Sequence, residues 1–298
     1  MEANFLTPVV TAFDKDCNLD IQANKNIWDY VIKGGVDGIV LMGSTGEFFA
    51  MPMKQKKELI LLAEEYIGKR TRLLIGTSCM QADETIVLSN FAAEHGADGV
   101  MIIPPYYFTL SDESIEYYFD EIAGAVTTDI YLYNFPARTG YDLKPEVTLK
   151  LCRKHKNIVG YKDTVANMDH TRELIKLILP EFKEFEILSG FDDNFGHNVL
   201  SGGGGAIGGL SNVAPEICAG WVKAYRNNDA VAMATYQHKM DILAALFTIG
   251  VPFVPIVKKA MVLCGIEMED YCTHPILQAT DEQTDRIKVV LKELELIV

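Results

Sequence analysis

Gly34-Gly-Val-Asp-Gly-Ile-Val-Leu-Met-Gly43 reads as a complete joint between a helix and a buried strand. The paired glycines stop the helix before them and Asp37 makes the turn. The apolar run that follows is too continuous for a strand with one face in water. The joint returns as His95-Gly-Ala-Asp-Gly-Val-Met101. Two copies point to a repeated unit in which each strand is followed by a covering helix.

On either side of these joints, short apolar and β-branched runs recur at 5–11, 38–43, 72–77, 99–104, 130–134, 158–162, 186–190 and 206–210. Between them, 21–33, 53–67, 84–94, 114–126 and 145–155 carry apolar residues at helical spacing. Strand and helix therefore alternate, which predicts a parallel sheet covered on both faces. Eight repeats in a chain of 298 residues fit an α/β fold of the (β/α)8 barrel type, with a doubly wound open sheet as the alternative. Beyond Asn212 only helical patterns remain, at 215–227, 230–249, 255–264 and 281–296. The expected organisation is a barrel over 1–212 that carries the site, then barrel-closing helices and a C-terminal helical extension over 213–298.

Composition narrows the function. With 49% hydrophobic and 23% charged residues the chain can bury a large core. Its net charge of −14 and scattered basic residues leave no footprint for nucleic acid or an anionic membrane. An anionic substrate would need a local cluster of donors. The six cysteines (Cys17, Cys79, Cys152, Cys218, Cys264 and Cys272) form no CxxC pair, and the N-terminus does not read as a signal peptide, so reduced thiols in the cytoplasm are expected. The six histidines show no HxxxH or HExxH spacing. No metal centre is expected, and most histidines should sit at the surface or cap helices. The longest apolar runs are too short to cross a bilayer.

In a (β/α)8 barrel the reacting groups stand at the C-terminal ends of strands. The second strand ends in Gly43-Ser-Thr-Gly-Glu47, a tight turn whose N–H groups and hydroxyls suit a small anion, although such a turn also occurs without a ligand. The fifth ends in Tyr131-Leu-Tyr-Asn-Phe-Pro136; Tyr131 and Tyr133 share one face, so alternation does not choose between them. The sixth ends in Ile158-Val-Gly-Tyr-Lys-Asp-Thr164, with a lysine directly after a buried run. Lys162 reads either as a rim residue paired with Asp163 or as an amine that attacks a ketone carbonyl, with a nearby tyrosine moving protons. Arg138 could clamp a carboxylate or face solvent. Asp192 and Asp193 could bind sugar hydroxyls or cap a turn. The glycines of 202–205 lack the Lys-Ser/Thr of a P-loop and read better as close backbone packing.

Taken together, Gly43-Ser-Thr-Gly-Glu47, the Tyr-Asn-x-Pro run from Tyr133 to Pro136 and Gly160-Tyr-Lys-Asp-Thr164 make the chain resemble the dihydrodipicolinate synthase and N-acetylneuraminate lyase superfamily over nearly its whole length. Members join or split pyruvate and an aldehyde through a lysine imine. The resemblance implies that Lys162 forms the imine, Tyr133 transfers protons, and Ser44 and Thr45 bind the pyruvate carboxylate. Tyr107 would reach a neighbouring subunit's site through Thr45, which implies a homotetramer of paired dimers or a homodimer. Neither metal nor organic cofactor is implied.

The acceptor is divided between two branches. Arg138 resembles the arginine with which dihydrodipicolinate synthases hold the carboxylate of aspartate semialdehyde. Lys162-Asp-Thr and Gly190-Phe-Asp-Asp193 resemble lyases of sugar acids, in which Thr164, Gly190, Asp192 and Ile207 would contact substrate. Tyr133-Asn-Phe-Pro and the segment from Pro252 to Gly265 are most similar to 2-keto-3-deoxygluconate aldolases, the branch favoured here. Met53 and Lys56 stand where lysine-inhibited synthases carry histidines, so no lysine feedback is expected. The rival readings are a non-catalytic sensor of pyruvate or a sugar acid, and an enzyme of phosphorylated sugars gripping phosphate with 202–205.

Overall fold

The computed structural model describes residues 3–298. Its strands are β1 (Asn4–Pro8), β2 (Gly38–Leu41), β3 (Arg72–Gly76), β4 (Gly99–Ile102), β5 (Ile130–Asn134), β6 (Ile158–Asp163), β7 (Glu186–Ser189) and β8 (Gly205–Ile207). They follow one another in sequence order around a closed barrel. The helices are α1 (Ile21–Lys33), α2 (Met53–Tyr66), α3 (Ala82–Glu94), α4 (Asp112–Ala125), α5 (Pro136–Thr139), α6 (Pro145–Lys154), α7 (Asp169–Ile178), α8 (Phe195–Leu200), α9 (Pro215–Arg226), α10 (Ala230–Ala244), α11 (Val254–Leu263) and α12 (Asp281–Glu293). The fold is the (β/α)8 barrel with C-terminal helices that the alternation predicts, not the open sheet.

The chain forms two compact units, one built on Leu73–Ile207, the other on Asn4–Arg72 with Gly208–Val298. In the first, parallel registers run Leu74↔Gly99, Val100↔Ile130, Tyr133↔Lys162, Lys162↔Leu188 and Leu188↔Gly205. β4 and β5 are buried along their whole length, as strands covered on both faces must be. In the second, β1 pairs with β2 from Leu6↔Gly38 to Pro8↔Val40, and Trp28 and Trp221 are among its fully buried side chains.

The repeated joint has the same hydrogen bonds in both units. Asp37 N–H donates to Phe5 O while Asp37 Oδ2 accepts from Phe5 N, and Asp98 does the same with Leu73. Gly35 and Gly96 take φ of 86° and 83°, the left-handed backbone that stops each helix. Gly34 is small for another reason: a Cβ there would lie 2.4 Å from Pro215 Cγ.

Several strands end before their apolar runs do. Met42 has φ of 52°, which takes the chain out of the β2 ladder. After β4, Ile103 N–H donates to Ser78 Oγ, and the two prolines that follow have no N–H for a ladder. The helical pattern at 230–249 resolves into α10 and a short 3₁₀ turn, Ala245–Thr248.

Candidate active site

Lys162 and Tyr133 are in register on β6 and β5, so their side chains leave the sheet on the same face. Lys162 is only 4% exposed, and its Nζ lies 4.4 Å from the centroid of the Tyr133 ring. Among the described residues no carboxylate lies within ion-pair distance of that amine. Asp163, the next residue, faces the other way. Its buried carboxylate accepts from Asn134 Nδ2 at 3.1 Å, His170 Nδ1 at 2.9 Å and Thr171 Oγ1 at 2.6 Å. A rim lysine paired with Asp163 is therefore not what the structure contains.

The two tyrosines of β5 have different surroundings. Tyr131 donates to Glu186 Oε2, at the start of β7, and its ring occupies space that a Cβ at Gly160 would need. Tyr133, two residues further along, stacks at 29° on Phe135 with ring centroids 6.2 Å apart. Phe135 meets Phe191 edge to face, and the Arg138 guanidinium lies 5.4 Å from the centroid of the Phe135 ring. Arg138 is exposed on α5, a single turn closed by Gly140 at φ 82°. Among the described residues it has no carboxylate partner, so its fork is available to an anion.

Thr164 and Gly190 meet just beyond β6 and β7. Thr164 N donates to Asn134 O and Gly190 N to Asp163 O. A Cβ at Gly190 would lie 1.8 Å from Thr164 Oγ1, so glycine is required for this hydroxyl to sit where it does. Among the described residues that buried Oγ1 has no hydrogen-bond partner. Asp192 is buried at the start of a 3₁₀ turn, while Asp193 is exposed. Ile207 is fully buried at the end of β8. The glycines of 202–205 pack against Asn198: its Oδ1 accepts from Gly205 N, and a Cβ at Gly203 would lie 2.3 Å from the same oxygen.

In the other unit, Ser44 and Thr45 occupy a tight turn in which Gly46 N donates to Gly43 O and Glu47 N to Ser44 O. Thr45 is buried and Ser44 half-buried. The turn lies between two non-glycine residues in left-handed backbone, Met42 at φ 52° and Glu47 at φ 58°. Glu47 is fully buried and holds the turn down: Lys258 Nζ donates to its Oε1 at 2.5 Å, and Thr273 N and Oγ1 donate to its Oε2. Lys258 also donates to Tyr271 O. This pair escaped the sequence reading, where the available signal was a lysine inside the apolar run of α11.

Tyr107 is 86% exposed, has φ of 118°, and meets Phe108 edge to face. Its hydroxyl is presented outward from this chain. His170 departs from the expected surface or capping role and is packed between two carboxylates. Among the described residues there is no group of three or more His, Cys, Asp or Glu placed to hold a metal, no helix long and apolar enough to cross a membrane, and no disulfide.

Comparison with known proteins extends this geometry. A model of the dihydrodipicolinate synthetase family matches residues 1–294. "Probable 2-dehydro-3-deoxy-D-pentonate aldolase YjhH" of Escherichia coli (strain K12) is 36% identical over 97% of this chain and 96% of its own. "Putative 2-dehydro-3-deoxy-D-gluconate aldolase YagE" of the same organism is 35% identical over 98% and 96%. The crystal structure of YagE in complex with pyruvate superposes with a TM-score of 0.96, covering 99% of both chains. Dihydrodipicolinate synthase from Thermotoga maritima gives 0.94 at 26% identity, over 100% of both chains.

Proposed function

We propose, from the premise that this chain belongs to the dihydrodipicolinate synthetase family, that it is a pyruvate-dependent aldolase of 2-keto-3-deoxy sugar acids in which Lys162 forms the imine. One observation carries the reading: a buried lysine with no carboxylate partner among the described residues, 4.4 Å from a tyrosine ring, at the C-terminal end of a barrel strand.

In the cleavage direction Nζ of Lys162 adds to the C2 carbonyl of the sugar acid. The resulting carbinolamine loses its oxygen as water, with Tyr133 as proton donor, and leaves an iminium. Tyr133, deprotonated by that step, takes the proton from the C4 hydroxyl as the C3–C4 bond breaks. The electron pair of that bond moves toward the iminium nitrogen, the aldehyde leaves, and an enamine remains on Lys162. Protonation at C3 and hydrolysis release pyruvate and restore the amine. The iminium is itself the electron sink, so these steps call on no organic cofactor or metal.

Ser44 and Thr45 are assigned the pyruvate carboxylate, a role supported by the hydroxyls and N–H groups of a turn held by Glu47. Thr164, Gly190, Asp192 and Ile207 are assigned to the acceptor portion, with support from the unpartnered Thr164 hydroxyl and the two E. coli relatives named for sugar-acid aldolases. Tyr107 is assigned to a neighbouring copy's site in a homotetramer or homodimer, supported by its exposure beside Phe108. Cysteines outside any disulfide support a reducing, cytoplasmic setting.

Arg138 supports a second reading, condensation of pyruvate with aspartate semialdehyde, because its guanidinium has no carboxylate partner among the described residues. Values of kcat/KM for cleavage of 2-keto-3-deoxygluconate and 2-keto-3-deoxypentonate, and for condensation with aspartate semialdehyde, test the choice. Sugar-acid cleavage is expected to dominate. If the semialdehyde is preferred, and Arg138→Leu abolishes that preference, the second reading replaces the first.

A further inference from the structure

We propose that His170 is a positioning residue for the imine-forming amine, acting through Asp163 and Asn134 on the strand ends that carry Lys162 and Tyr133. The inference rests on the reading of Lys162 given above.

The contacts form a closed circuit on the outer face of β5 and β6. His170, in the first turn of α7, donates from Nδ1 to Asp163 Oδ2, and its Nε2 lies 3.2 Å from Asp142 Oδ2, an ion-pair contact without hydrogen-bond alignment. Asn134 Nδ2 donates to Asp142 at 2.8 Å and to Asp163 at 3.1 Å, which closes the loop, and Asn134 Oδ1 accepts from Leu143 N. Thr171 Oγ1 adds a further bond to Asp163. Beside the imidazole lies the Tyr161 ring, 6.1 Å away, whose hydroxyl donates to Leu143 O. The ionisable groups around His170 are thus Asp142 from the loop after α5 and Asp163 and Tyr161 from β6.

The circuit requires a charged ring. A neutral imidazole has one N–H and one lone pair, and between two carboxylates the lone pair would face an anion. Burial lowers the pKa of His170, but the two carboxylates outweigh it and raise the value to about 10. At neutral pH an imidazolium therefore neutralises one of two carboxylates that would otherwise repel.

The location gives this circuit its bearing on chemistry. Asn134 and Asp163 are register partners, and Tyr133 and Lys162, also register partners, immediately precede them. Side chains alternate across a strand, so a movement of the outward pair turns the inward pair. Asp142 also ties in the loop that follows Arg138. His170 thus joins β5, β6, α7 and that loop behind the amine without touching substrate.

The test measures the rate at which borohydride traps a pyruvate adduct on Lys162, across pH, in wild type, His170→Phe, His170→Asn and Asp142→Asn, with melting curves alongside. For His170→Phe we expect trapping and kcat to fall by about tenfold or more with a smaller change in KM, and His170→Asn, which can still donate to Asp163, to recover part of the rate. Asp142→Asn removes one of the carboxylates that hold the imidazole proton. Its trapping rate should therefore fall at a lower pH than that of wild type, a fall absent from His170→Phe. A His170→Phe protein that melts lower yet traps at the wild-type rate, with the wild-type pH profile, would reduce the circuit to a structural role and overturn the proposal. Should His170→Phe fail to fold, an Asp142→Asn profile matching wild type overturns it equally. A wild-type protein that traps nothing on Lys162 overturns the aldolase reading and this inference together, which separates the two failures.

Discussion

Lys162 and Asp163 are neighbours in the chain but face opposite sides of β6. The amine meets the Tyr133 ring at 4.4 Å, while the carboxylate takes three hydrogen bonds from Asn134, His170 and Thr171. Alternation along one strand thus separates a nucleophile from the anion that would otherwise hold it in an ion pair.

Tyr133→Phe keeps the ring beside Lys162 and removes its hydroxyl. We expect kcat to fall by roughly 10² to 10⁴, the usual contribution of a positioned proton donor. Tyr131→Phe should instead lower stability, because it leaves Glu186 without that donor, and should affect turnover much less. Steady-state kinetics and melting curves on the two variants would separate these roles.

Thr164→Val should separate stability from activity. Among the described residues the buried Oγ1 has no partner, a state that costs about 1–3 kcal/mol, so valine of similar shape should leave the melting temperature unchanged or raise it. Turnover of a sugar acid should fall if that hydroxyl meets a substrate hydroxyl. Gly190→Ala should reduce both, since its Cβ would lie 1.8 Å from Thr164 Oγ1.

Lys258→Met would leave the Glu47 carboxylate buried without its cation, a loss expected to cost about 3–5 kcal/mol. The double change Glu47→Gln with Lys258→Met should recover much of that stability, as judged by denaturant unfolding. Because Glu47 anchors the turn of Ser44 and Thr45, the double variant should still show a raised KM for pyruvate.

The pH dependence of stability follows from His170. Burial opposes its charge, the two carboxylates favour it, and the net result is a pKa raised from 6.5 to about 10. A raised folded-state pKa means that the folded protein holds the proton more tightly than the unfolded chain. The resulting stabilisation is fully present below about pH 6.5 and is lost as pH rises through about 10, with a slope of at most ~1.4 kcal/mol per pH unit from this group. Unfolding free energies between pH 6.5 and 10 in wild type and His170→Phe should show that slope only in the former.

The barrel was legible because its strands are short, apolar and regularly interrupted, and because the Asp37 and Asp98 joints repeat. Strand ends were read too long where a single backbone angle, as at Met42, takes the chain out of the ladder while the residue stays apolar. Lys162, Tyr133 and the turn of Ser44 and Thr45 stood out because each follows an apolar run at a strand end. Asp142, His170 and the Glu47–Lys258 pair did not. Glu47 and Lys258 are 211 residues apart, a separation that no local periodicity registers. His170 lies on an amphipathic helix where an outward histidine would look the same. The choice between Lys162 as a rim residue and as an isolated amine likewise required the observed partners of Asp163.

The central claim is tested most directly by adding pyruvate, reducing with borohydride and mapping the modified residue by mass spectrometry, with Lys162→Arg as control. A reduced pyruvate adduct on Lys162 that is absent from the arginine variant is the result this account requires. An adduct on another lysine, or catalytic turnover of pyruvate with no adduct at all, would contradict it.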